Sequence, residues 1–122
     1  MDEEEARVLT KLADTVCKNV TSASQMLTIL QSEETITDID VQEIESRGPM
    51  YQQVKQLITI LKTKRQNKKQ VERGVKRPFE ALCFALQTMG QHWLAEELAT
   101  ELKKASSNAS NFGQLQLVFP HS

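Results

Sequence analysis

The run Pro78-Phe79-Glu80-Ala81-Leu82-Cys83-Phe84-Ala85-Leu86-Gln87-Thr88-Met89-Gly90-Gln91-His92-Trp93-Leu94-Ala95-Glu96-Glu97-Leu98 decides the fold class. Proline is suited to the first turn of a helix, where an N–H is spare. Phe79, Leu82, Cys83 and Leu86 then recur at helical spacing, and Gly90 supplies a stop. Trp93, Leu94, Leu98 and Leu102 start a second stripe, which closes near Lys103-Lys104, basic residues suited to a helix C-terminus. Two helices joined by a tight turn are predicted, each with one apolar side that only neighbours can bury.

The same period extends upstream. Val8, Leu12, Val16 and Val20, widened by Leu9, Ala13 and Cys17, predict a first helix over 3–20. Its opening Asp2 to Glu5 run favours the free N–H groups of a helix start. Ser22 and Gln25 have capping-box spacing before Met26, Leu27, Ile29 and Leu30. Thr37 can cap a third helix through Ser46, with Ile36 and Val41 as a hydrophobic staple and Ile44 inward. Gly48-Pro49 ends it and opens a fourth helix, whose stripe is Val54, Leu57, Ile58 and Leu61, flanked by Met50 and Ile60. Residues 62–77 lack a stripe and read either as an exposed helical extension or as a basic loop closing at Gly74.

The expected architecture is therefore all-α: six short helices around one core over 1–104. Residues 105–113, rich in Ser and Asn, read as a linker. Leu115, Leu117 and Val118-Phe119 form a short apolar end within the 105–122 tail, able to pack on the bundle, pair as a strand or begin something longer. A chain of 122 residues is one domain of modest core. With 39% hydrophobic and 25% charged residues it is too apolar for a disordered segment.

Chemical constellations are sparse. Cys17 and Cys83 share no CxxC spacing and fall on apolar stripes, so buried free thiols in a reducing compartment are expected. His92 and His121 make no HxxxH pair, and Gly48, Gly74, Gly90 and Gly113 are scattered with no phosphate loop among them. The expectation is no catalysis, no cofactor, no metal and no small-molecule substrate. Met1 followed by Asp2, Glu3, Glu4 and Glu5 is not a signal peptide, and no apolar run spans a bilayer, so a cytoplasmic location is expected. The sequons at Asn19 and Asn108 are then chance matches.

Charge is the informative feature. The net charge of −1 hides a bipolar layout. Residues 21–49 hold Glu33, Glu34, Asp38, Asp40, Glu43 and Glu45 against a single Arg47. Residues 50–79 hold Lys55, Lys62, Lys64, Arg65, Lys68, Lys69, Arg73, Lys76 and Arg77 against a single Glu72. The stretch Lys62 to Arg77 could meet nucleic-acid phosphates or an anionic membrane, but it has no aromatic residue for base stacking and the chain is acidic overall, so nucleic acid is disfavoured. Opposite charge on different segments suits docking between similar domains. Such a contact is heterologous and can propagate into an oligomer or filament. The candidate basic face is Arg7, Lys11, Lys55, Lys62 and Arg65; the candidate acidic face is Glu34, Asp38, Asp40 and Glu43.

With these residues assembled, the chain resembles a caspase recruitment domain of the death-fold superfamily, particularly those of initiator-caspase prodomains and their adaptors. Phe79 to Leu98 resembles the family's last helical pair, preceded by an Arg73-Gly74 similar to the family's Arg-Gly. Met1-Asp2-Glu3 with Arg7 and Leu9, Ile36-Thr37 with Ile44, and the Val54 to Leu61 stripe continue the likeness over about 3–104. The resemblance implies a six-helix antiparallel Greek-key bundle that recruits or clusters caspases or adaptors carrying the same domain, in apoptotic or innate immune signalling. It also implies docking of basic residues on helices one and four against acidic residues on helices two and three. Gln66 to Lys76 departs from it, being longer than the family's usual turn, and the 105–122 tail has no counterpart.

Overall fold

The structure, a computed structural model, describes the backbone of residues 1–117 and the side chains of residues 1–106. Seven helices and no strand occur among the described residues: α1 (Glu3–Asn19), α2 (Ala23–Ser32), α3 (Asp38–Glu45), α4 (Met50–Thr63), α5 (Lys68–Glu72), α6 (Pro78–Thr88) and α7 (His92–Leu117). The all-α expectation holds, with one helix more than the sequence pattern predicts.

Local chemistry sets most of the boundaries. Asp2 and Glu5 form a reciprocal capping box on α1, and the Ser22 side chain accepts from the Gln25 N–H at the start of α2. On α3 the Thr37 hydroxyl accepts from Asp40 N–H at 3.1 Å, while Asp40 Oδ2 accepts from Thr37 N–H at 2.9 Å. Pro78 begins α6 and Gly90, at φ +82°, turns the chain into α7. A side chain there would have to adopt the left-handed region that glycine enters freely.

α1 packs against both α4 and α7, α6 lies along α7, α2 leans on α6 and α3 on α4. Leu9, Met26, Leu30, Ile44, Leu57, Leu61, Leu82, Leu86, Leu94 and Leu98 are fully buried in the shared centre. Each is worth about 1.5–3 kcal/mol of transfer free energy. α4 runs opposite to α1, because Tyr51 near its start bonds to Asp14 and Lys62 near its end bonds to Thr10.

Five expectations change. Trp93 is 51% exposed; Leu94, Ala95 and Leu98 carry the inward stripe of α7, which points Trp93 about 150° away from its centre. Met50 is exposed and Cys83 only half-buried, since Ala81, Leu82 and Ala85 take the inner line of α6. Residues 66–77 are neither a continuation of α4 nor a plain loop, but contain the separate helix α5, capped by Asn67 and closed at Gly74 with φ +75°. Finally, α7 passes through the stretch read as a linker. Ser and Asn cost only a few tenths of a kcal/mol each in a helix already nucleated by its packed half, and no proline interrupts them. Val118 and Phe119 lie outside the described residues.

Candidate interaction faces

Of the residues expected to form a basic face, Arg7 and Lys11 lie on α1 and Lys55 and Lys62 on α4. Lys62 Nζ donates to Thr10 Oγ1 at 2.9 Å, placing it beside Arg7 and Lys11. Lys55 lies one α4 face-repeat before Lys62, toward Tyr51, and is exposed with no ion pair among the described residues. Acids punctuate this face. Lys11 pairs with Glu101 at 2.8 Å and Arg7 loosely with Glu3 at 3.7 Å. Asp14 accepts from Tyr51 Oη at 2.6 Å; that bond, with Lys18 beside it, holds the carboxyl below its usual range. Arg65 does not join the face. It sits past the end of α4, exposed, beside Met1, Asp2 and Gln66.

The expected acidic residues divide into two sets. Glu34 receives both Arg73 nitrogens, at 2.9 and 2.6 Å, and this bidentate bond depresses the Glu34 carboxyl pKa. Lys64 pairs with Asp40 at 2.6 Å and Lys76 with Glu33 at 3.1 Å. Burial alone would raise the Asp40 pKa, but the bonds from Lys64 and Thr37 together outweigh it and leave the carboxyl lowered. Lys76 also stands 4.3 Å over the Phe84 ring. Glu33, Glu34 and Asp40 are thus already met by cations of the 64–76 segment.

The second set faces outward on α3. Glu43 accepts from Gln56 at 2.6 Å and lies 3.5 Å from Arg47, while Asp38 accepts from the Gln31 amide. Between them stands Ile39, 74% exposed. One turn separates Ile39 from Glu43, so an apolar side chain and carboxylates share an edge.

This placement corrects the picture of two segregated faces. The acidic 33–45 segment and the 64–76 part of the basic segment meet, and Glu33, Glu34 and Asp40 are paired there within the molecule. Of the Lys62 to Arg77 cations, Lys64, Arg73, Lys76 and Arg77 are so engaged. That leaves Lys62, Arg65, Lys68 and Lys69 for any external anion.

Several features escaped the sequence reading. Glu5, only 2% exposed, is ion-paired with Arg77 at the start of α6. Gln91 is buried, donating to Asn19 C=O at 2.6 Å and accepting from Thr21 N–H at 3.1 Å and Thr21 Oγ1 at 3.2 Å. α5 had a signal in the Asn67-x-x-Gln70 capping spacing, and Ile39 had one in being off the inward period of α3. The charge pairing had none, since sequence shows charges but not which ones meet.

Among the described residues no group of three or more His, Cys, Asp or Glu gathers as a metal site. No described helix is long and apolar enough to cross a membrane. Burial, with Glu5 and Glu80 nearby, pushes the Cys83 thiol up to about 11, away from a reactive thiolate. Comparison of the chain with protein-family models, with curated proteins and with solved structures finds no match.

Proposed function

We propose that the chain is a protein-interaction module that docks to a similar helical domain, in the manner of a caspase recruitment domain. The observation that carries this is the outer edge of α3, where exposed Ile39 stands between Asp38 and Glu43. Exposed ion pairs contribute under about 1 kcal/mol each, so a useful contact needs an apolar centre that they surround. Ile39 supplies that centre, and Arg7, Lys55 and Lys62 across α1 and α4 supply the complementary charge. The resemblance of residues 79–98 to the family's last helical pair and the all-α bundle support the same reading.

In it the chain performs no chemistry. It brings together caspases or their adaptors, whose catalysis follows from proximity. A cytoplasmic location goes with this role, as do two cysteines left free. The test is Asp38→Arg with Glu43→Arg, two positions outside the Thr37–Asp40 capping box. Association with itself or with a recruitment-type partner, followed by light scattering and pull-down, should be lost while far-UV circular dichroism is unchanged. Binding that survives the double reversal overturns the reading.

A further inference from the structure

The segment from Lys64 to Arg77 is an arm with little core of its own. α5 has no buried residue, and Val71 is 58% exposed. A hollow of about 180 Å³, lined by Thr35, Thr37, Lys64, Gln70, Val75 and Pro78 among others, lies between the arm and the 33–37 turn. Polar contacts hold it instead: Arg73 on Glu34, Lys76 on Glu33, Lys64 on Asp40, and a long 3.4 Å contact from the Gln70 amide to Glu34 C=O. Glu34 itself sits at φ +63° just past the end of α2, in the left-handed turn closed by Thr35 N–H to Leu30 C=O and Glu34 N–H to Gln31 C=O, both 3.0 Å.

The arm therefore does to the acidic turn what the basic face of a partner would do. We propose that the α5 arm is an internal competitor, occupying Glu33, Glu34 and Asp40 so that a second copy of this chain docks there fully only by displacing it. This rests on the docking reading above and adds its regulation. Tethered at both ends, the arm meets the turn at an effective concentration on the order of millimolar. A second copy at micromolar concentration cannot outcompete it through ion pairs alone. It can do so once copies are clustered and the Ile39 contact adds to theirs. Assembly then has a concentration threshold set within the fold.

The experiment compares the wild-type chain with Arg73→Gln/Lys76→Gln, which removes the arm's pairs to Glu33 and Glu34 and leaves the acids intact. Amide exchange at Val71, Arg73 and Gly74 should quicken while Leu57 and Leu86 stay protected. The concentration at which the chain self-associates, measured by light scattering, should fall about tenfold, the scale of two exposed ion pairs. Glu33→Gln/Glu34→Gln frees the arm equally but removes its target, so it should quicken exchange without tightening association. An unchanged threshold in the first variant overturns the inference while leaving docking intact, provided Asp38→Arg/Glu43→Arg still abolishes association. Equal tightening in both glutamine variants also overturns it, by showing that arm release and not carboxylate exposure matters. Association indifferent to every substitution overturns the docking reading and this inference with it.

Discussion

At the scale of single residues, two buried polar groups hold the bundle's ends together, and their removal has different consequences. Gln91 ties the turn before α7 to the α1–α2 junction through Asn19 C=O, Thr21 N–H and Thr21 Oγ1. Replacing it with Ala leaves those groups unpaired in a partly closed space, at a cost of about 2 kcal/mol. A lower urea midpoint with an unchanged m-value should report this. Glu5 and Arg77 behave asymmetrically. Glu5 is 2% exposed, whereas the Arg77 side chain is 55% exposed. Arg77→Gln strands a carboxylate in the interior, while Glu5→Gln leaves the arginine free to turn to water. Arg77→Gln should therefore be the more destabilising of the two, by about 1 kcal/mol or more. Equal urea midpoints would show that solvent already screens the pair.

At the scale of elements, legibility in the sequence follows how local the cause is. α1, α2, α3, α4 and α6 were readable because stripe and cap lie within each segment, as with Val54, Leu57, Ile58 and Leu61 after Gly48-Pro49. α5 was not, because it has no stripe and its position depends on Glu33 and Glu34, which lie more than thirty residues away. The length of α7 was hidden for another reason: Ser and Asn favour turns only where packing has not already chosen a helix. The same division applies to the candidate faces. Composition picked out Arg7, Lys11, Lys55 and Lys62 for one face, and it picked out Asp38 and Glu43. It could not show that Asp40 and Glu34 were spoken for. That pairing makes the arm sensitive to acid. Glu34 and Asp40 have folded pKa values below their ordinary ones, so their stabilising contribution is complete above the unfolded values near pH 4. It is lost as pH falls through the folded values. As pH falls below about 4, amide protection over Lys68–Gly74 should fall before that of Leu57 or Leu86. Simultaneous loss would mean that the arm is part of the cooperative core.

At the scale of the whole molecule, near-neutral net charge and mixed surface potential change what long-range attraction can do. A net charge of −1 neither keeps copies apart nor draws them together, so recognition depends on short-range patches. In the docking proposed above, the α3 edge of one copy meets the α1–α4 face of another. Such a contact leaves an unused patch at either end of every dimer, and growth continues unless rotation closes a ring. Blocking one patch in one population and the other patch in a second gives a direct readout. Asp38→Arg/Glu43→Arg has a spoiled acidic edge with its basic face intact; Lys55→Ala/Lys62→Ala has the reverse. Each alone should sediment as a monomer at concentrations where the wild-type chain grows, because every possible contact includes a spoiled side. Mixed, they share one intact pair of patches, the basic face of the first with the acidic edge of the second. The mixture should therefore stop at dimers, and added salt should dissociate them as ionic contacts are screened. A symmetric contact would instead leave the mixture monomeric, and continued growth of either variant alone would place the interface elsewhere on the bundle.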